Sequence, residues 1–136
     1  MSDAHLVKIR VLIADDHKDM REYVRKLLLA DCCEVVAAVD DGQAALDEAC
    51  RLLPDVAVLD ISMPVLNGIQ AARRLQEINP NIKIVFLTVD TDLDTCRAAL
   101  ETGALGYVLK PRLGTDLVQA IKLAKEGHRF VSPGCQ

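Results

Sequence analysis

No uninterrupted apolar run in the 136-residue chain approaches the ~20 residues a membrane-spanning helix requires. The start, MSDAHLVKIR, holds no apolar stretch of signal-peptide length. The expectation is therefore a cytoplasmic protein without membrane contact. The five cysteines, Cys32, Cys33, Cys50, Cys96 and Cys135, are odd in number and form no C-x-x-C pair, which argues against both a disulfide framework and a zinc site. They read as reduced thiols, mostly core filler. There is no long lysine or arginine run and the formal net charge is −4, so the electrostatic footprint of a nucleic-acid binder is missing and direct DNA binding by this chain is not expected. Repeats, low-complexity tracts and linkers are also absent until Ser132-Pro133-Gly134, which breaks any helix and reads as the end of the fold.

With 51% of its residues apolar, a chain of this length can bury one ordinary core without staples. Short apolar runs stand at Val11-Leu12-Ile13-Ala14, Val35 to Val39, Val56-Ala57-Val58-Leu59, Ile84-Val85-Phe86-Leu87 and Tyr107-Val108-Leu109. None alternates with polar residues, which suits strands covered on both faces. Between them, helical spacing links Met20, Tyr23, Val24, Leu27 and Leu28; Leu46, Ala49, Cys50 and Leu53; Ile69, Ala72 and Leu75; Leu93, Cys96 and Leu100; and Leu117, Ala120, Ile121 and Ala124. Val118 and Leu123 would then flank the buried face of the last helix. Asp41-Gly42 and Asn67-Gly68 precede the second and third helices, while Gly103 and Gly127 follow the fourth and fifth. Asn67-Gly68 could signal a hairpin, but a helical pattern follows it. Five strands alternating with five helices predict a parallel sheet with right-handed crossovers and helices on both faces.

Open α/β sheets bind ligands beyond the carboxyl ends of their strands. The residues there are Asp15-Asp16 after the first strand, Asp40-Asp41 after the second, Asp60 after the third, Thr88 after the fourth and Lys110 after the fifth. For the flavodoxin-like order 2-1-3-4-5, the switch point lies between strands one and three, which gathers Asp15, Asp16 and Asp60 in one crevice. Unit charges ~4 Å apart near a protein surface repel by about 4 kcal/mol, so the carboxylates need neutralising. Protonation of one member would serve, but a hard divalent cation does it better, and magnesium uses one or two carboxylates with waters and a phosphate oxygen. Lys110 offers a point charge for a transferring phosphoryl group, and the Thr88 hydroxyl can donate to one of its oxygens.

Asp15-Asp16, Asp60 with Met63-Pro64 and Gly68, Thr88, Tyr107 and Lys110-Pro111 together resemble the pattern of bacterial response-regulator receiver domains over nearly the whole chain. The resemblance implies that residues 1–7 are a lead, 8–128 the receiver domain and 129–136 a tail or the start of a linker. It implies Asp60 as phospho-acceptor and a Mg2+ site formed by Asp15, Asp16, Asp60 and the Ser62 backbone carbonyl. Thr88 and Lys110 would contact the phosphoryl group. Thr88 and Tyr107 would form the switch, with Lys110-Pro111 matching a pair that in this family is often joined by a cis peptide. The implied partners are a cognate histidine kinase or phosphotransfer protein, and either an effector domain or a second receiver. Such a domain catalyses its own phosphorylation and dephosphorylation without turning over an external substrate. Asp15-Asp16-His17 and the ending Gly127-His128-Arg129-Phe130-Val131-Ser132-Pro133 are similar to the branch preceding a LuxR-type helix-turn-helix, which implies transcriptional regulation through a DNA-binding domain absent from this chain. Val89 departs from the family's usual small residue after the threonine, which bears on access to the acyl phosphate, and Ser62 and Asp90 flank the path of an attacking water.

Each element also has an ordinary explanation. Asp15-Asp16 could merely cap the first helix, Lys110 could be a surface lysine on an apolar stem, Thr88 a β-branched strand end and Tyr107 a half-buried strand aromatic. His17 reads as a solvated loop residue, since an oxygen-rich magnesium site does not favour imidazole; His5 and His128 carry no signal. Two other functions share parts of the pattern. A magnesium-dependent phosphohydrolase would place its nucleophile after the first strand in a D-x-D arrangement, whereas Asp60 follows the third. A flavin binder would need a first loop that cradles phosphate, which Asp15-Asp16-His17 would repel. An interaction-only pseudo-receiver would lack the acidic set, Thr88 and Lys110.

Overall fold

The computed structural model describes residues 7–135; His5 and most of the anticipated lead lie outside them. The order is β1 (Ile9–Ala14), α1 (Lys18–Leu29), β2 (Cys33–Val39), α2 (Gly42–Leu52), β3 (Val56–Leu59), α3 (Gly68–Ile78), β4 (Lys83–Thr88), α4 (Leu93–Leu100), β5 (Gly106–Leu109), α5 (Leu113–Lys125) and β6 (Phe130–Val131). The strands form one sheet in the order β2-β1-β3-β4-β5-β6, with every neighbouring pair parallel. The flavodoxin-like arrangement is thus present with one strand more than anticipated. Phe130 pairs with Gly106 and Val131 with Tyr107, so residues read as a tail or linker extend the sheet. A two-residue strand after Gly127 has no apolar run of its own to announce it.

The two-sided burial follows from the strands' composition. Leu12 and Ala14 enter one core with residues of α2, α3 and α4, while Val11 and Ile13 enter the other with α1 and α5. Full burial of each such aliphatic side chain contributes roughly 1.5–3 kcal/mol, which explains why the central strands tolerate no polar alternation. Leu117, Ala120, Ile121 and Ala124 of α5 are all fully buried, and Val118 and Leu123 are half-buried at its flanks. Cys33, Cys96 and Cys135 are buried, Cys32 is intermediate and Cys50 is exposed, so Cys50 is not part of its helix's buried face. Burial pushes the Cys33 thiol up to about 12.

The helix starts follow local chemistry. Asp41 accepts from the Ala44 N–H at the start of α2, Asp92 caps α4, and Asn67 forms a capping box with Gln70 at α3, so Asn67-Gly68 opens a helix and not a hairpin. Besides Cys50, three residues expected on buried faces are exposed: Tyr23, Leu53 and Leu93. Leu53 leaves α2 in the left-handed region (φ 50) as its C-cap, which turns its side chain away from the core. Leu93 stands at the first position of α4, ahead of the turn that reaches the sheet through Cys96 and Ala99. No peptide bond among the described residues is cis; Lys110-Pro111 instead opens a 3-10 turn, Lys110–Arg112, leading into α5. Among the described residues no helix is long and apolar enough to cross a membrane.

Candidate functional site

The carboxyl ends of β1, β3, β4 and β5 converge as the strand order requires. Asp15 follows β1 and its backbone N–H donates to Val39 O at 3.0 Å; Asp60 follows β3 and donates to Ala14 O at 2.9 Å. Both side chains are buried, as is Thr88 at the end of β4. Lys110 reaches back from the end of β5, its Nζ 2.7 Å from Asp15 Oδ2 and 3.0 Å from Asp60 Oδ2. Only the Asp60 contact has the direction of a hydrogen bond. Asp15 Oδ2 is buried and has the Lys110 ammonium as its ion-pair partner. Asp60 Oδ1 accepts from the Ile61 N–H at 2.7 Å.

These surroundings shift the charges in opposing ways. Burial raises the Asp60 carboxyl above its ordinary value and the nearby Asp15 charge adds to this, against the lowering effect of Lys110 and the Ile61 N–H. Burial pulls Lys110 down, but its contacts with Asp15 and Asp60 outweigh that, and the net direction is up. The ammonium thus neutralises part of the carboxylate repulsion itself.

Asp16 is exposed beside Asp15. Asp15, Asp16, His17 and Asp60 each present one ligand atom within 4.8 Å of the others. A set of hard carboxylate oxygens converging at the sheet's end fits a divalent cation. His17 is not simply solvated: its Nδ1 lies 3.2 Å from Asp15 Oδ1 and 3.0 Å from Asp16 Oδ1, while its side chain remains 70% exposed. Ser62 is exposed in the loop after Asp60.

Thr88 and Tyr107 meet through a residue assigned only a charge-flanking place. Thr88 Oγ1 accepts from the Asp90 N–H at 3.2 Å, and the Tyr107 hydroxyl donates to Asp90 O at 2.8 Å. Tyr107 is fully buried, not half-buried, packs against Phe86 with ring centroids 6.4 Å apart, and its hydroxyl is pushed upward in pKa by burial. Val89, directly after Thr88, is exposed.

Two supporting residues were not visible in the motifs. Arg21 Nη1 donates to the Asp15 carbonyl at 2.8 Å; its position one turn into α1 was its only signal. Ser132, at the far end of the chain, donates to Asp116 Oδ2 at 2.7 Å and accepts from the Leu109 N–H at 3.2 Å, tying the segment after β6 to the strand that ends in Lys110.

The family model described as response regulator receiver domain matches residues 11–122. The chain belongs to this family. As a receiver domain of a two-component response regulator, it is 38% identical over 126 residues to the response regulator GacA of Pseudomonas viridiflava, covering 92% of this chain and 59% of the relative. It is 36% identical to the transcriptional regulatory protein DegU of Brevibacillus brevis, covering 93% and 54%. The receiver chain thus spans between half and three fifths of the length of these curated relatives. A solved two-component response regulator of the LuxR family from Aurantimonas sp. SI85-9A1 superposes with a TM-score of 0.89 at 32% identity, covering 94% of this chain and 92% of that one. The isolated receiver domain of RcsB from Salmonella enterica serovar Typhimurium, solved with phosphomimetic BeF3−, gives 0.86 at 28% identity over 94% and 96%.

Proposed function

We propose that Asp60 accepts a phosphoryl group from a phosphohistidine of a partner histidine kinase or phosphotransfer protein in a Mg2+-dependent reaction. The reading rests on Lys110 Nζ, which contacts Asp15 and Asp60 together at the end of the sheet. Asp15, Asp16, Asp60 and the Ser62 carbonyl would hold magnesium, which supplies neutralisation of phosphoryl-oxygen charge when bound.

The chain's own residues do the remainder. Ile61 N–H and Lys110 hold one oxygen each of the Asp60 carboxylate, which orients it for in-line attack. An Asp60 oxygen bonds to phosphorus as the phosphorus–nitrogen bond breaks and imidazole leaves with the electron pair. Lys110 neutralises charge on the transferring group. The Thr88 hydroxyl, whose oxygen now accepts from Asp90, has its proton available for a phosphoryl oxygen.

A Thr88 drawn toward the phosphoryl group would pull on Asp90, and through the Asp90 carbonyl on Tyr107. Two discrete arrangements of this loop would shift the face made by α4, β5 and α5. That face would engage a second receiver or an effector domain, and the LuxR-type relatives favour transcription as the controlled process. The domain would phosphorylate and dephosphorylate itself without turnover of an external substrate, and would not bind DNA itself.

Incubation with acetyl phosphate and magnesium, followed by intact-mass measurement, should show one added phosphoryl group in the wild type and none in Asp60→Asn. Equal labelling of the variant would remove Asp60 as acceptor.

A further inference from the structure

We propose that the turn Ser132–Cys135 is a restraint on the switch: it holds the Asp90 carbonyl in its unphosphorylated place, and phosphorylation of Asp60 unseats it. This rests on the receiver reading above and names the segment that opposes it.

The turn is built to deliver Cys135 to one spot. Ser132 is fully buried, its N–H donates to Tyr107 O at 2.8 Å, and its side chain is fixed between Asp116 and the Leu109 N–H. Pro133 and Gly134, the latter at φ 104, then reverse the chain, and the Cys135 N–H closes the turn on Ser132 O at 3.3 Å. Cys135 is buried in the core that α4 shares, where the Cys96 thiol donates to its carbonyl at 3.3 Å. Its own thiol donates to Asp90 O at 3.8 Å, the same oxygen that accepts the Tyr107 hydroxyl at 2.8 Å. Burial and the adjoining Cys135 thiol push the Cys96 thiol up to about 11, as a contact shut off from water requires.

Asp90 is therefore held from two sides. Its N–H donates to Thr88 Oγ1 at 3.2 Å, so a Thr88 drawn to a phosphoryl oxygen draws Asp90 with it, while its carbonyl is tied to Tyr107 and Cys135. Of these two donors the thiol is the weaker and the longer. Ser132 stays anchored independently, so Cys135 is the part that leaves. Its exit is short, because Cys96 and Cys135 line a cavity of about 230 Å3 with Leu93, Arg97 and Leu100. Linkage makes the effect reciprocal: if phosphorylation unseats the turn, a weakened turn favours the phosphorylated form.

The test is alkylation of the intact chain by iodoacetamide, read at each cysteine by peptide mass spectrometry, with and without beryllofluoride and Mg2+. Beryllofluoride should speed labelling of Cys96 and Cys135 about tenfold or more and leave Cys33, buried on the opposite face of the sheet, unchanged; Asp60→Asn should show no response. Cys135→Ala, which removes the thiol, and Gly134→Ala, which strains the turn at positive φ, should each bind beryllofluoride about fivefold more tightly in calorimetric titration. A variant that merely loosened the fold would bind it more weakly. Unchanged labelling of Cys96 and Cys135, labelling of Cys33 that rises with theirs, or unchanged or weaker beryllofluoride binding in either variant would each overturn the restraint and leave the receiver reading standing. If the wild type took up neither a phosphoryl group nor beryllofluoride, the receiver reading would fail and this inference with it.

Discussion

Removing the Lys110 ammonium is the sharpest test of the site's electrostatics. The Lys110 side chain is 9% exposed, and those of Asp15 and Asp60 are 3% and 6% exposed. Deleting one partner of a buried ion pair costs about 3–5 kcal/mol, because the remaining charge is left uncompensated. Lys110→Ala leaves two carboxylates in that position, but their place at the sheet's end allows water entry, so a loss of about 3 kcal/mol near pH 7 is expected without divalent ions. The pH dependence carries the diagnosis. Asp60 is already raised, chiefly by burial and against the pull of Lys110, and the variant should raise it further. An acid with a raised folded value prefers its protonated form when folded, so its penalty develops as pH climbs from the unfolded value through the folded one. The variant's deficit should therefore be largest near neutrality and shrink toward about pH 4 as Asp60 takes up a proton. Urea denaturation followed by circular dichroism, in chelator, measures both points. A deficit under about 1 kcal/mol at neutrality, or one independent of pH, would refute the coupling of Lys110 to Asp60.

Ser132→Ala should destabilise by about 1–3 kcal/mol in the same assay, since it strips buried partners from Asp116 and the Leu109 N–H. Burial opposes but Arg112, Ser132 and Thr115 hold the Asp116 carboxyl below its ordinary value; its contribution is present above the unfolded value and lost as pH falls through the folded one, so this deficit should narrow in acid. Gly68→Ala would drive a Cβ into the Asp60 carbonyl oxygen; a loss of several kcal/mol and slowed labelling by acetyl phosphate are expected, measured by melting and intact mass. Tyr107→Phe removes the bond to Asp90 O and should cost about 1 kcal/mol while accelerating amide exchange in the loop between β4 and α4; unchanged exchange would separate Tyr107 from that loop. Asp60→Asn should abolish labelling, as described above.

The architecture was legible because its determinants are local and repeated. Each unalternating run, such as Val56 to Leu59, can satisfy itself only between two layers, and each helical stripe, such as Leu117, Ala120, Ile121 and Ala124, only against a sheet. Once the strand order is set, carboxyl-end residues must share a crevice, so Asp15, Asp60, Thr88 and Lys110 could be named together before any coordinates.

What the sequence could not express was direction and long-range partnership. Nothing near Phe130 announces a sixth strand, because its pairing depends on the edge that β5 offers across the sheet. Ser132 and Asp116 read as ordinary polar residues until the fold buries them against Leu109. Leu93 and Leu53 keep the spacing of a buried face but sit where the helix begins or ends, and end geometry turns them outward. His17 shows the same division most clearly. Its identity argued for solvent, while the turn after β1 brings its ring to two carboxylates. Composition and periodicity constrain which elements form and which of their ends meet; only tertiary packing selects rotamers, edge partners and which oxygen of a carboxylate faces which cation, since those depend on contacts between residues far apart in the chain.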